Sequence, residues 1–147
     1  MYFVGSLYMK VAIRYYSRTG STRDLAFAIQ EQLGVAAETI DIPIPSGVDL
    51  LFLGTATYKG RTAREISDFI LTLRERKITV VFFSSSVFRK SNHKDLCRQL
   101  KSAKITFLPE SFYSGSIFWI FNRKRPNEAD LKNIKNFSKE IVRKYLG

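Results

Sequence analysis

Cysteine and histidine are nearly absent from this chain: Cys97 and His93 are the only examples in 147 residues. One cysteine cannot build a disulfide framework or a cysteine-rich metal centre, and one histidine cannot supply a multi-histidine zinc site. Such thiol usage suits a reducing compartment, and a cytoplasmic location is the expectation. Long apolar runs are missing as well. The opening stretch MYFVGSLYMK is apolar, but it has no charged leading region and is too short for a signal peptide or a membrane span. Met9 is the expected functional start, with residues 1–8 an N-terminal extension and 9–147 one domain; the alternative is that residues 2–8 pack as an extra edge segment. There is no G-x-G-x-x-G turn with an acidic ribose clamp beyond it and no Walker A lysine. These absences count against a dinucleotide and against nucleoside triphosphate hydrolysis. Repeats, linkers and low-complexity tracts are lacking too.

What remains is ordinary in bulk and uneven in charge. Apolar residues make up 45% and charged ones 25%, and the length suffices for one core without disulfides or metal. The net charge is +11, yet residues 1–73 carry 7 Lys/Arg and 7 Asp/Glu, whereas residues 74–147 carry 17 and 6. The entire excess lies in the second half, which bears on partners rather than on fold.

Apolar, β-rich runs at 11–16, 36–41, 49–54 and 78–84 read as strands. Residues 105–108 and the stretch around Phe112–Tyr113 read as a broken fifth strand. Helical periodicity covers 22–33, with Leu25, Ala28, Ile29 and Leu33 inward and Gly34 as the stop, and 62–74, with Ile66, Phe69, Ile70 and Leu73 inward. Asn92 is read as the cap of a helix to about Lys101, with Leu96, Cys97 and Leu100 inward. After Pro126 a last helix begins near Asn127 and lines up Leu131, Ile134, Phe137, Ile141 and Tyr145. Ile42-Pro43-Ile44-Pro45-Ser46-Gly47 cannot be helical, so strands two and three are joined by a short loop. Strands alternating with helices place the chain in the α/β class with a mostly parallel sheet.

Ser17-Arg18-Thr19-Gly20-Ser21-Thr22 lies between the first strand and the first helix. Glycine allows a sharp turn, the first helical N–H groups point into it, and the positive end of the helix dipole favours an anion there. The hydroxyls exceed what capping needs, so the stretch reads as a phosphate-binding loop.

From Val11 to Ile29 the chain resembles the flavodoxin family: Ser17, Gly20, Thr22, Ala26 and Ile29 fill the places of the family's first loop, and Tyr15 supplies the aromatic before it. Arg14 departs from the family's apolar strand residue. Gly54-Thr55-Ala56-Thr57-Tyr58-Lys59-Gly60 is similar to the second flavin loop, with Tyr58 where an aromatic covers the ring, and Ser84-Ser85-Ser86-Val87-Phe88 holds the place of the third. The C-terminal part, with its Pro-Asn-Glu helix start, is similar to small bacterial flavodoxin-like proteins. The resemblance spans nearly all of residues 9–147. It implies a doubly wound five-stranded parallel sheet, order 2-1-3-4-5, with helices on both faces. In that order the first two loops fall at the switch point between strands 1 and 3.

The implied cofactor is FMN. Its binding residues would be Ser17, Arg18, Thr19, Gly20, Ser21, Thr22, Thr55, Thr57, Tyr58, Lys59, Gly60, Ser84, Ser85, Ser86 and Phe88. The implied function is electron transfer to a protein partner. Typical flavodoxins are acidic; here Lys59 and Arg61 flank Tyr58, and the third loop lacks a carboxylate. A cation about 6 Å from the ring contributes roughly 3 kcal/mol at an effective dielectric near 20, before solvent screening. The expected potential is therefore less negative than in acidic relatives, and the expected redox partner is acidic. The alternatives are an NAD(P)H- or quinone-dependent FMN oxidoreductase with a pocket near Phe88 and Trp119, and a cofactor-free basic binding module. Basic stripes without interleaved aromatics argue against nucleic acid; Arg123-Lys124-Arg125 is the densest cluster for an acidic contact. His93 reads as solvated or capping, and Cys97 as core.

Overall fold

The computed structural model describes residues 2–4, 7–18, 20–55, 57–58, 61–85, 89–114 and 127–146. Strand β3 (Val11–Tyr15) is buried along its whole length and lies between β4 (Ala37–Thr39) and β5 (Leu50–Thr55), both parallel to it. Next to β5 run β8 (Thr79–Ser84) and then β9 (Thr106–Tyr113), giving the parallel order β4-β3-β5-β8-β9. Counted along this sheet, the order is the expected 2-1-3-4-5.

Side chains alternate between the two faces of each strand, so continuous apolar runs feed two cores. Val11, Ile13, Leu50, Phe52, Val81 and Phe83 join α1 (Ser21–Leu33) and α4 (Glu128–Leu146) on one face. Ala12, Leu51, Leu53, Val80 and Phe82 join α2 (Arg64–Thr72) and α3 (Arg89–Ser102) on the other. Lys135 of α4 reaches Glu31 of α1 at 3.1 Å. At the start of α4, Asn127 and Asp130 cap reciprocally: each backbone N–H donates to the other's side chain, at 2.9 and 3.0 Å.

Several expected details differ. The fifth strand is continuous: between Val80↔Phe107 and Phe82↔Ser111 its register shifts, so a bulge around Pro109 absorbs the break. Helix α3 starts at Arg89, which puts Asn92 inside the helix rather than at its cap. Tyr145 ends the α4 stripe exposed, while Ile141 and Val142 are buried. Tyr2–Val4 (β1) pairs antiparallel with Leu7–Met9 (β2) as a separate hairpin, not as an edge of the main sheet.

The connection from β4 to β5 has no helix, as the prolines require. A helix about 10 Å wide covers two strands spaced about 4.8 Å apart, so α2 and α3 leave the β4 edge of their face to residues 40–49. Irregular backbone there must find hydrogen bonds elsewhere. Basic side chains supply them. Arg14 Nε and Nη2 donate to the carbonyls of Ile42 and Pro43 at 2.9 and 2.7 Å. Arg76 Nη1 and Nη2 donate to Ile44 and Pro45 at 3.1 and 2.7 Å, and Lys10 Nζ to Ser46 at 2.7 Å. Five consecutive carbonyls, 42–46, thus end on three side chains. Arg14 is only 3% exposed and lies 3.5 Å from Glu38. Burial holds its guanidinium below its ordinary pKa, and Glu38 offsets part of that.

Candidate flavin site at the carboxyl ends of the strands

The carboxyl end of β3 leads through Tyr16 and Ser17 to Gly20, the N-cap of α1. Gly20 has φ 92° and ψ −9°, a left-handed conformation that glycine adopts without strain, and it offers no side chain to cover the first-turn N–H groups. Its own N–H donates to Ser17 Oγ at 2.9 Å, which closes the turn. Gly20 thus opens α1 with its positive end facing this turn, which suits an anion.

Thr22 ties this loop to the other two. Its hydroxyl, fully buried, donates to the carbonyl of Thr55 at the end of β5 (3.1 Å). That bond uses its one hydrogen, so Ser85, just past β8, donates to Thr22 Oγ1 at 2.9 Å. Thr22 is therefore a brace between the first loop and the ends of β5 and β8. Tyr16 N–H adds a bond to Gly54 O at 3.1 Å. Gly54 is itself required by space: a Cβ there would sit 2.5 Å from the Phe83 ring and 2.9 Å from Thr22 Cγ2. Thr55 Oγ1, at the same strand end, is buried without a hydrogen-bond partner among the described residues, as is Ser114 Oγ beyond β9. Buried hydroxyls with no partner are costly, and a ligand's polar atoms can satisfy them. The donor set and these unpaired hydroxyls fit a phosphate-bearing cofactor.

The structure thus brings Ser17, Gly20, Ser21, Thr22, Thr55, Ser84 and Ser85 to one end of the sheet. Thr57 and Tyr58 form β6, which pairs with Arg61–Thr62 (β7) in the register Thr57↔Thr62 and Tyr58↔Arg61. Thr19, Lys59, Gly60, Ser86 and Phe88 lie outside the described residues, as do Trp119 and Arg123–Arg125.

Arg18 contacts Tyr16 and Glu65. Its Nε donates to Tyr16 OH at 3.2 Å, its guanidinium carbon lies 5.9 Å from the Tyr16 ring centroid, and Nη2 is 4.0 Å from Glu65. Tyr16 OH in turn donates to the Glu65 carboxylate, which holds that carboxyl below its ordinary pKa, with Arg18 and Arg64 adding to the effect. Sequence reading missed Tyr16 and Glu65 because 49 residues separate them; the only local signal was an acidic residue in the first turn of a helix.

His93 is neither solvated nor capping: it is half-buried, and Nδ1 lies 2.9 Å from Tyr113 OH. Cys97, one turn on, is half-buried with Sγ 3.4 Å from His93 Nε2, and burial raises its thiol pKa. Among the described residues no cluster of His, Cys, Asp and Glu could hold a metal ion, and no helix is long and apolar enough to cross a membrane.

Residues 12–109 match the family model of the flavodoxin domain. The chain belongs to the flavodoxin family. An uncharacterized protein of Methanocaldococcus jannaschii, MJ0298, is 29% identical over 149 residues, covering 92% of this chain and 99% of its own. A solved flavodoxin from the domain Archaea superposes with a TM-score of 0.71 at 14% identity, over 92% of this chain and 98% of its own. A flavoprotein of Lactobacillus acidophilus solved in complex with FMN gives 0.61 at 15% identity, over 71% and 92%. At such identities the structural likenesses speak for the flavodoxin fold alone.

Proposed function

We propose that this flavodoxin binds FMN and carries electrons to an acidic protein partner. The observation that carries the reading is the Ser17–Thr22 loop, seated on the N-terminus of α1 at the switch point between β3 and β5 and braced by Thr22 to Thr55 and Ser85. The phosphate would lie against the first-turn N–H groups and the hydroxyls of Ser17 and Ser21, with Thr19 completing the loop. Thr55, Thr57, Tyr58, Lys59 and Gly60 would flank the ring from one side, and Ser84, Ser85, Ser86 and Phe88 from the other. Bound flavin supplies the redox chemistry; the protein sets its orientation and electrostatic surroundings. The second half's 17 Lys/Arg against 6 Asp/Glu supports the acidic partner, whose docking rate should fall as salt rises.

Titration with FMN and with riboflavin, read by visible absorption and calorimetry, tests the assignment. FMN is expected to bind at least about a hundredfold more tightly, since a phosphate held by several charge-assisted bonds is worth a few kcal/mol. Equal affinity, or no binding of either, overturns it.

A further inference from the structure

The missing β4–β5 helix leaves a cavity of about 810 Å³ on the α2 side of the sheet. One wall is the irregular segment carrying Ile40, Asp41, Ile42 and Ile44; the other is the stripe Glu65, Asp68, Phe69, Thr72 and Leu73 along α2. Tyr16 and Ser17 close one end. Residues spaced three and four apart on α2 are those a helix ordinarily turns to a neighbouring helix, and here no helix stands opposite. Ile42, on the rim, is among the exposed large hydrophobic residues.

The charge of this cavity opposes that of the molecule. Its lining holds three carboxylates, Asp41, Glu65 and Asp68, against one guanidinium, Arg76, which is bonded to the carbonyls of Ile44 and Pro45. Glu65 is engaged by Tyr16 and Arg18. Among the described residues Asp68 has a single long contact, 3.9 Å to exposed Arg64, and Asp41 accepts from the Thr39 hydroxyl within its own segment. So each wall carries one weakly committed carboxylate, and between them lie apolar and aromatic side chains. An occupant that suits this arrangement has a methylene body and a cationic group at each end. The cavity's size is in the range of small-molecule sites.

We propose that this groove binds an aliphatic di- or polyamine, with one ammonium at Asp41, the other at Asp68, and the chain over Ile40, Ile42 and Phe69. The groove borders the first flavin loop at Ser17, but Asp41 and Asp68, which would hold the ammonium groups, lie outside the flavin loops. A net charge of +11 repels cations at long range, so the rest of the surface provides no background attraction for such a ligand.

The test is calorimetric titration of the full chain with a series of α,ω-diamines from ethane-1,2-diamine to octane-1,8-diamine, with hexylamine and Mg²⁺ as controls. Amide NMR shifts report the location. Affinity is expected to pass through an optimum at intermediate chain length, about tenfold above ethane-1,2-diamine and above hexylamine, with shifts centred on residues 40–44 and 65–73. Asp41→Asn and Asp68→Asn should each weaken the best diamine about threefold to fivefold, as one partly exposed ion pair is lost, while leaving FMN affinity unchanged. Affinity independent of chain length, equal binding of Mg²⁺ or hexylamine, shifts elsewhere, or indifference to both substitutions would each overturn the proposal, leaving a screened acidic rim or a plain apolar groove.

Discussion

Replacing Arg14 by methionine should destabilise the protein by about 2–4 kcal/mol, though the new side chain fits an apolar strand better. Arg14 donates to Ile13 O at 2.9 Å, Ile42 O at 2.9 Å and Pro43 O at 2.7 Å from a nearly buried position. Three charged hydrogen bonds worth about 1.5–3 kcal/mol each give roughly 4.5–9 kcal/mol, and release of the guanidinium's desolvation cost, several kcal/mol, brings the net loss to about 2–4 kcal/mol. Buried ion pairs elsewhere can be replaced by apolar residues without loss, but only when both partners are replaced. Here the acceptors are backbone carbonyls, which stay and become unsatisfied. For a chain of this size the loss corresponds to a drop of roughly 5–15 °C in melting temperature.

Urea unfolding read by circular dichroism gives the magnitude, and amide hydrogen exchange gives its place: protection should fall over residues 40–49 before it falls in β5. Arg76→Met, at a half-exposed site, should cost about 1 kcal/mol, and the double variant should cost less than the sum because the two arginines hold one segment. A loss below about 1 kcal/mol for Arg14→Met, or strict additivity, would refute the view that these side chains replace the missing helix.

Thr22→Val should reduce FMN affinity by about tenfold and stability by about 1–3 kcal/mol, because Thr55 O and Ser85 Oγ lose their common partner; FMN titration and urea unfolding check the two effects separately. Gly54→Ala should cost about 2 kcal/mol or more in urea unfolding, since its Cβ would meet the Phe83 ring at 2.5 Å. Lys104→Gly should stabilise the protein by about 0.5–1 kcal/mol, a rise of a few degrees in melting temperature: Lys104 has φ 59° at the end of α3, where Ile105 N–H bonds Leu100 O and Lys104 N–H bonds Lys101 O in a Schellman motif that suits glycine. Because Tyr16 lowers the folded-state pKa of Glu65, its contribution to stability is full above the ordinary carboxylate pKa, near pH 4, and is lost as pH falls through the lowered value. Glu65→Gln should flatten that acid limb in a pH series of melting temperatures.

Much of this was legible because it is local. Strand and helix periodicity, the glycine turn before α1 and the proline-blocked crossover are each written in a few adjacent residues. What was illegible depends on distant partners. Arg14 in an apolar strand reads as a packing fault until the carbonyls of residues 42 and 43 are seen beside it. The Tyr16–Glu65 pair and the His93–Tyr113 bond are likewise set by the sheet order, which brings together residues 49 and 20 positions apart. Thr22 carries a role its type alone does not announce: its hydroxyl also bonds the carbonyl of Thr55, 33 residues on. The fifth strand reads as broken from sequence; Pro109 cannot donate to a ladder, and a bulge accommodates that without ending the strand.

The two ends of the β3–α1 unit are specified by different means, and the difference bears on where function can vary. At the carboxyl end the anion loop is built largely from backbone: helix N–H groups, a left-handed glycine and strand carbonyls, with Thr22 as the principal side-chain brace. Such a loop tolerates many sequences around it. Beside it, the β4–β5 connection depends on Arg14, Arg76 and Lys10, each aimed at particular carbonyls. Dispensing with the crossover helix removes one layer of packing and opens the cavity against α2, and the arginines keep that cavity's wall from collapsing into the vacated space. The rigidity of the clamp is therefore a condition for any ligand in the groove. A loop free to close over Phe69 and Leu73 would bury the same apolar surface by itself, and no cavity would remain.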